Sequence, residues 1–145
     1  MESLRVPQRA SLKPEGFQID RLFVYGSLMR GLESHHYLAG AVFVEQAWTQ
    51  GTLVSLGDYP GLITGGARVN GELYRLADTP AALEVLDDFE DFDPADPERS
   101  LFVRSLAEVH GESGGVVTAW LYLFNQDVAG APVISSGDWR TPAAG

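Results

Sequence analysis

The sequence contains no cysteine, so disulfide bonds, thiolate nucleophiles and cysteine-based zinc sites are excluded. No apolar run approaches the ~18 residues that a membrane-spanning helix needs. Basic residues are also scarce: 10 lysines and arginines stand against 20 aspartates and glutamates, a formal charge of -10. A charge of that sign is repelled by phosphate backbones and by anionic membrane surfaces. We therefore expect neither nucleic acid nor a membrane as a partner.

The two ends of the chain differ in composition from its body. Residues 1–20 are polar, are interrupted by Pro7 and Pro14, and lack the apolar segment of a secretory signal. We expect a flexible leader over 1–20, a single domain over 21–140 and a short tail over 141–145. The predicted location is cytoplasmic.

The body consists mainly of short strand patterns that end at glycines. A helix is predicted to begin with Thr79 as its N-cap and Pro80 in its first turn, and to continue to Phe89. A turn is predicted at Tyr59-Pro60-Gly61. Because strands do not alternate regularly with helices, the predicted class is α+β, a small mixed β-barrel or strongly curved sheet with a few flanking helices. The predicted strands cover 22–25, 41–49, 51–56, 68–76, 101–109 and 116–124.

The first candidate site is the segment Tyr25-Gly26-Ser27-Leu28, where an apolar strand stops at a glycine. Glycine can adopt a positive φ, and a loop of that shape exposes successive amide groups that can hold an anion. The alternative interpretation is an ordinary turn after a strand, with Tyr25 in the core. Neither a Walker loop nor a dinucleotide-binding glycine pattern is present.

The second candidate is Glu90. At ~100° per helical residue it lies about 20° from Leu83 and about 40° from Leu86, between two positions that face the core. An unpaired carboxylate placed there would have a raised pKa, as a general acid or base needs near neutral pH. The alternative is that the helix ends by Phe89 and leaves Glu90 solvated in an acidic patch.

Metal sites are weakly indicated. The spacing in the acidic segment does not fit an EF-hand, since Ala95 stands at a ligand position and Asp96 at the glycine position, so a solvated acidic loop is favoured over calcium. His35 and His36 are adjacent and fit an exposed helical turn after Ser34 better than a zinc site. The acidic segment comprises Asp87, Asp88, Glu90, Asp91, Asp93, Asp96 and Glu98.

Four segments in a fixed order resemble the γ-glutamylcyclotransferase-like family. They are 23–31 (FVYGSLMRG), 56–62 (LGDYPGL), 69–74 (VNGELY) and 86–90 (LDDFE). The resemblance implies a barrel-like β fold with a pocket between the Tyr-Gly-Ser-Leu loop and a catalytic glutamate, which matches Glu90. It also implies that Tyr25, Gly26, Ser27 and Leu28 bind substrate, with Tyr59 and Tyr122 as pocket walls. For both tyrosines packing in the core is the alternative, and it is favoured for Tyr122.

The activity that the resemblance implies is conversion of a γ-glutamyl amine or γ-glutamyl amino acid to 5-oxoproline and a free amine. In such a substrate the α-amine can attack the γ-carbonyl and close a five-membered ring, so the enzyme needs no covalent nucleophile, metal or cofactor. Glu90 would shuttle the proton, and loop amides would hold the carboxylate or the oxyanion.

Two departures from the family pattern leave a non-catalytic alternative open. Phe102 stands where the family often has the tyrosine of a Tyr-x-Arg segment, and Asp91 stands where a glycine frequently follows the glutamate. A module that binds a small carboxylate ligand or a protein on the same fold is therefore the second hypothesis. A calcium-dependent module using Asp91, Asp93 and Asp96 is the third.

Overall fold

The structure is a computed structural model and describes residues 19–141. The predicted leader and tail lie outside the described residues, apart from Ile19, Asp20 and Thr141. One α-helix, α1 (Thr79–Phe89), and two 3-10 helices, His35–Leu38 and Pro97–Arg99, accompany the strands in this range. The strands are β1 (Arg21–Val24), β2 (Val42–Thr49), β3 (Thr52–Ser55), β4 (Pro60–Ile63), β5 (Val69–Arg75), β6 (Phe102–Gly111) and β7 (Val116–Phe124).

Five of the strands close into a barrel in the order β1-β5-β2-β6-β7. Neighbouring strands are antiparallel except at the closure, where β7 meets β1 in parallel and Trp120 lies opposite Leu22. The remaining two strands, β3 and β4, form a separate antiparallel ribbon. The predicted mixed barrel with few helices is confirmed.

Alternation along the strands supplies two buried clusters. On β1, Phe23 faces the barrel interior with Leu73 and Leu121, because successive side chains of a strand point to opposite faces. Leu22 and Val24 point outward and pack with Leu86 of α1 and its neighbours. The helix thus covers one side of the barrel and ends near the point where β1 ends.

The predicted turn at Tyr59-Pro60-Gly61 was wrong. Residues 57–59 make the turn, and Pro60 is the first residue of β4, paired with Ser55 of β3. The Leu56 amide donates to the Tyr59 carbonyl at 2.9 Å and closes the turn two residues earlier than the pattern indicated. Proline is tolerated at the first position of a strand, because no ladder hydrogen bond is then required from its nitrogen.

The helix cap was misplaced by one residue. Asp78, and not Thr79, is the N-cap, and its Oδ1 accepts a hydrogen bond from the Ala81 amide at 3.2 Å. An aspartate in the extended conformation before a Thr-Pro pair satisfies the same free amides that a threonine cap would. Within residues 19–141, no helix has both the length and the apolar character needed to cross a membrane.

Gly71 on β5 lies where β1 and β5 approach closely. A Cβ at this position would fall on the Val24 carbonyl oxygen and within 2.7 Å of the Phe23 ring. The first neighbour is backbone of β1 and the second is a ring that is 1% exposed, so neither can move aside cheaply.

We expect Gly71→Ala to lower the free energy of unfolding by about 2–3 kcal/mol through overpacking. Gly115→Ala is the matched control, because a Cβ there meets nothing within 4 Å and the φ of Gly115 is not positive. Urea unfolding followed by circular dichroism compares the two variants. Equal stabilities would show that the strands can separate without cost at this point.

Candidate active site

A cavity of about 290 Å³ opens at the junction of the loop after β1, the β3–β4 turn and the end of α1. Its floor is formed by buried side chains of the barrel, and its rim by residues of the two loops. The structure therefore brings together segments that lie far apart in the sequence. All seven sequence-predicted site residues line it: Tyr25, Gly26, Ser27, Leu28, Tyr59, Glu90 and Tyr122.

Glu90 is held by the way α1 ends. The Phe92 amide donates to the Asp87 carbonyl at 2.8 Å and the Asp91 amide to the Asp88 carbonyl at 3.2 Å, the paired hydrogen bonds of a Schellman motif. Asp91 has the left-handed conformation that this motif requires, with φ 58°. Glycine adopts that conformation most readily, which explains why a glycine suits the position directly after the glutamate. Asp91 replaces it without changing the turn.

The helix ends at Phe89, as the second interpretation of the sequence holds, yet Glu90 does not point into bulk water. Its side chain lines the cavity and is only partly exposed. Within residues 19–141 its carboxylate has neither a hydrogen bond nor a salt bridge. Burial without a partner raises the pKa of Glu90 from 4.5 to about 7.

The loop that faces Glu90 is fixed from three sides. The Tyr25 hydroxyl donates to the Tyr122 carbonyl at 2.6 Å, and His35 Nδ1 hydrogen-bonds the Leu28 carbonyl at 2.8 Å. The Arg30 amide donates to Glu72 Oε1 at 2.9 Å. His35 is consequently half-buried and not fully exposed as predicted, whereas the adjacent His36 is exposed.

The amides of this loop remain free. Among the described residues, the backbone nitrogens of Gly26, Ser27 and Leu28 donate to no protein acceptor. Gly26 does not use the positive φ that a glycine permits. A Cβ at Gly26 would lie 3.0 Å from the Pro60 ring, a tight contact that the absence of a side chain avoids.

A partly buried ion pair next to Tyr122 was missed by the sequence reasoning. Arg104 on β6 binds Asp87 through Nε at 2.8 Å and Nη2 at 3.1 Å, and the Tyr122 hydroxyl donates to Asp87 Oδ1 at 2.6 Å. Burial and the bond to Asp87 raise the pKa of the Tyr122 hydroxyl. The hydroxyl is therefore committed to Asp87, and only the Tyr122 ring is available as a wall. One usable signal was in the sequence: at ~100° per helical residue Asp87 lies about 40° from Leu83, at the edge of the apolar stripe.

Phe102 contributes an apolar face to the cavity. Its ring centroid lies 6.1 Å from that of Tyr59 and 5.3 Å from that of Phe124. The acidic segment, by contrast, forms no metal centre: in the part of the chain described, no three His, Cys, Asp or Glu side chains are grouped to hold an ion. Asp93 Oδ1 instead accepts from the Ala95 amide at 2.9 Å within its own turn.

Comparison with known proteins agrees with this geometry. The sequence profile of the family described as γ-glutamyl cyclotransferase, AIG2-like, matches residues 22–141. The chain belongs to this family. The match takes in every strand of the barrel, the helix and the cavity residues.

Two relatives and one solved structure illustrate the similarity. The chain is 36% identical over 108 residues to the γ-L-glutamyl-butirosin B γ-glutamyl cyclotransferase of Niallia circulans, covering 73% of this chain and 67% of that protein. It is 31% identical over 120 residues to the γ-glutamylcyclotransferase family protein YtfP of Escherichia coli K12, covering 82% and 95%. The crystal structure of YkqA from Bacillus subtilis superposes with a TM-score of 0.66 at 29% identity, over 83% of this chain and 39% of that one.

Arg104→Met should destabilise the fold by about 2–3 kcal/mol, because Asp87 is left buried without its cation. The matched control is Arg99→Met, which removes an exposed arginine whose Nε lies 3.7 Å from Asp96 and should cost less than about 1 kcal/mol. In the double variant Asp87→Asn/Arg104→Met the cost should be smaller than the sum of the single costs. Additive costs in urea unfolding would contradict a coupled pair.

The raised pKa of Glu90 predicts a stability that depends on pH. Between pH 4.5 and about 7 the folded protein holds a proton that the unfolded chain has released, so the Glu90 contribution to stability decreases as the pH rises through this interval. The free energy of unfolding of Glu90→Gln, measured relative to that of the parent protein, should therefore increase by roughly 2 kcal/mol from pH 4 to pH 8. Unfolding curves of both proteins at the two values measure this gain, and parallel pH dependences would contradict it.

Proposed function

We propose that this chain cyclises a γ-glutamyl amine or γ-glutamyl amino acid, releasing 5-oxoproline and the free amine. The observation that carries the proposal is the unpaired Glu90 carboxylate, with a pKa of about 7, in one cavity with the free amides of Gly26, Ser27 and Leu28. Membership of the family supports it, as does the relative whose name specifies a γ-glutamyl substrate.

The proposed reaction needs only the substrate and one carboxyl group of the protein. The α-amine nitrogen attacks the γ-carbonyl carbon and forms the ring bond, and the bond from that carbon to the leaving nitrogen breaks. Glu90 accepts the proton that the attacking amine loses and returns it to the leaving amine. A pKa close to the working pH suits both transfers, because the group must serve first as base and then as acid. No metal or cofactor is needed for these steps.

The loop amides have a second proposed task. We propose that they bind a substrate carboxylate, or stabilise the oxyanion that develops when the γ-carbonyl is attacked. Holding the glutamyl group in a folded shape also brings the amine and the carbonyl into contact. The free substrate adopts this reactive conformation only rarely, so binding it in that shape raises the rate of ring closure. In this proposal the Tyr122 ring and Tyr59 restrict the room available to extended conformers.

A second candidate is a non-catalytic binding module on the same fold. It is favoured by Phe102, whose apolar ring stands at the cavity where the family pattern often has a tyrosine hydroxyl. Such a module would use the same amides for a small carboxylate ligand but would release no product.

Glu90→Gln should reduce 5-oxoproline release at least ~100-fold, because the amide can neither accept nor return the proton. Asp88→Asn is the matched control: it neutralises an exposed carboxylate two residues away and should leave the rate within about twofold. Purified protein is incubated with a panel of γ-glutamyl amides and the product is quantified by chromatography.

Undiminished activity of Glu90→Gln would remove Glu90 from the reaction. A rise in melting temperature with a γ-glutamyl compound, with no product from any member of the panel, would favour the binding module.

A further inference from the structure

The carbonyls of the loop after β1 are bound by the protein, whereas its amides are not. The Gly26 carbonyl accepts a hydrogen bond from the Met29 amide at 3.0 Å. The Ser27 carbonyl accepts one from the Ser34 amide, also at 3.0 Å. In a trans peptide the carbonyl and the amide that follows it point in opposite directions. Binding these two carbonyls to the protein therefore turns the Ser27 and Leu28 amides the other way, where no acceptor of the described chain meets them.

Arg30 follows two residues after Leu28, and both of its backbone polar groups are held. Its amide donates to Glu72 Oε1 at 2.9 Å. Its carbonyl accepts a hydrogen bond from Arg140 Nη2, and the same nitrogen lies 3.1 Å from Glu72 Oε2. One carboxylate and one guanidinium thus bind the two sides of a single residue and also bind each other. This arrangement of Arg30, Glu72 and Arg140 is called the Arg30 clamp below.

Glu72 is the fixed part of the Arg30 clamp. It lies on β5 and is 1% exposed, and the Tyr74 hydroxyl donates to its Oε1 at 2.9 Å. A carboxylate buried to this extent keeps its charge only when a cation and hydrogen-bond donors meet it. Arg30 Nε is 3.8 Å from Glu72 Oε2, and its guanidinium lies over the Phe43 ring. Arg140 therefore supplies the closer cation.

Arg140 reaches the Arg30 clamp from the other end of the chain, 110 residues after Arg30. The segment before it is fastened to the barrel. The Asn70 amide of β5 donates to the Gly137 carbonyl at 2.7 Å, and Trp139 packs against both buried clusters. The Arg140 side chain is 38% exposed and does not line the cavity. It can therefore affect a bound substrate only through the loop.

We propose that Arg140 is a positioning residue of this reaction, which holds the backbone of Arg30 so that the Ser27 and Leu28 amides keep their direction toward the substrate. This inference rests on the proposed function, in which those amides bind a carboxylate or an oxyanion. Loss of the guanidinium frees the Arg30 carbonyl and leaves Glu72 to attract the Arg30 side chain, and both changes displace the loop. A displacement of about 1 Å is enough to cost up to ~100-fold in rate.

Arg140→Met removes the hydrogen bonds and keeps an apolar side chain. We expect kcat/KM for 5-oxoproline release from a γ-glutamyl amide to fall about tenfold. Arg140→Lys should stay within about threefold of the parent protein, because one nitrogen makes both contacts and an ammonium group with three donors can replace it. The matched control is Arg99→Met, which removes an exposed arginine outside the cavity and should change the rate less than about twofold. Rates are divided by the folded fraction, measured by circular dichroism at the assay temperature.

The pH profile separates a positioning role from a general loosening of the site. The acidic limb of kcat/KM reports the ionisation of Glu90, whose pKa of about 7 depends on burial. If Arg140 acts on the amides, this limb stays in place in Arg140→Met while the plateau of kcat/KM falls. A limb that moves to lower pH would mean that water has entered the cavity, and the positioning role would be overturned.

Hydrogen exchange followed by mass spectrometry tests the Arg30 clamp without a substrate. A peptide that covers residues 26–31 should exchange faster in Arg140→Met than in the parent protein or in Arg99→Met, because the loop is no longer held at its end. Equal exchange in the three proteins would show that Arg140 does not hold the loop.

Failure of the inference is distinguishable from failure of the proposed function. If the parent protein releases no 5-oxoproline from any γ-glutamyl amide, the cyclase proposal fails and the positioning role with it. If the parent protein is active and Arg140→Met keeps its rate within about twofold, the cyclase proposal stands and the inference is overturned. Equal losses in Arg140→Met and Arg140→Lys would also overturn it, since lysine retains the charge and the donors.

Discussion

The arrangement of this molecule depends on one carboxylate that is withdrawn from water and left without a partner. Glu90 follows the last residue of α1, and the Schellman hydrogen bonds beyond it direct the chain away so that the side chain enters the cavity. Burial of an unpaired carboxylate opposes folding, and the cost increases as the pH rises above its ordinary pKa. The fold must offset that cost elsewhere, through the barrel core and the packing of α1 against it.

Two other acids, Asp87 and Glu72, are bound by neighbouring protein groups, unlike Glu90. Asp87 is neutralised by Arg104 and also accepts the Tyr122 hydroxyl. Glu72, at 1% exposure, accepts hydrogen bonds from the Tyr74 hydroxyl, the Arg30 amide and Arg140 Nη2. Both acids are therefore committed to holding the helix and the loop in place. Glu90 differs from both: within the described residues its partly exposed carboxylate has no hydrogen-bond partner, and it shares the cavity with amides that also have none.

Much of this was legible from local patterns. Alternating side chains in the strands and the glycines at strand ends predicted the mixed barrel. The spacing of Leu83, Leu86 and Glu90 predicted an inward-facing acid. Errors arose where two local rules compete. A Tyr-Pro-Gly sequence is typical of a turn, but β3 supplied a partner strand and drew Pro60 into β4. At Gly26 the conformational freedom of glycine allowed a positive φ, which the loop does not use; the feature that the local pattern could not show is the closeness of the Pro60 ring.

The sequence by itself determined the class of fold, the helix that ends just before Glu90 and the loop after β1, because these follow from the periodicity of side chains and from backbone preferences over a few residues. Tertiary structure decided which groups are neutralised and which stay available. Asp87 and Arg104 are 17 residues apart, and Tyr122 lies 35 residues from Asp87, so only closure of the barrel joins them. Desolvation likewise has no local signature: the pKa of Glu90 reflects how much water the surrounding chain excludes, and that depends on packing between distant segments.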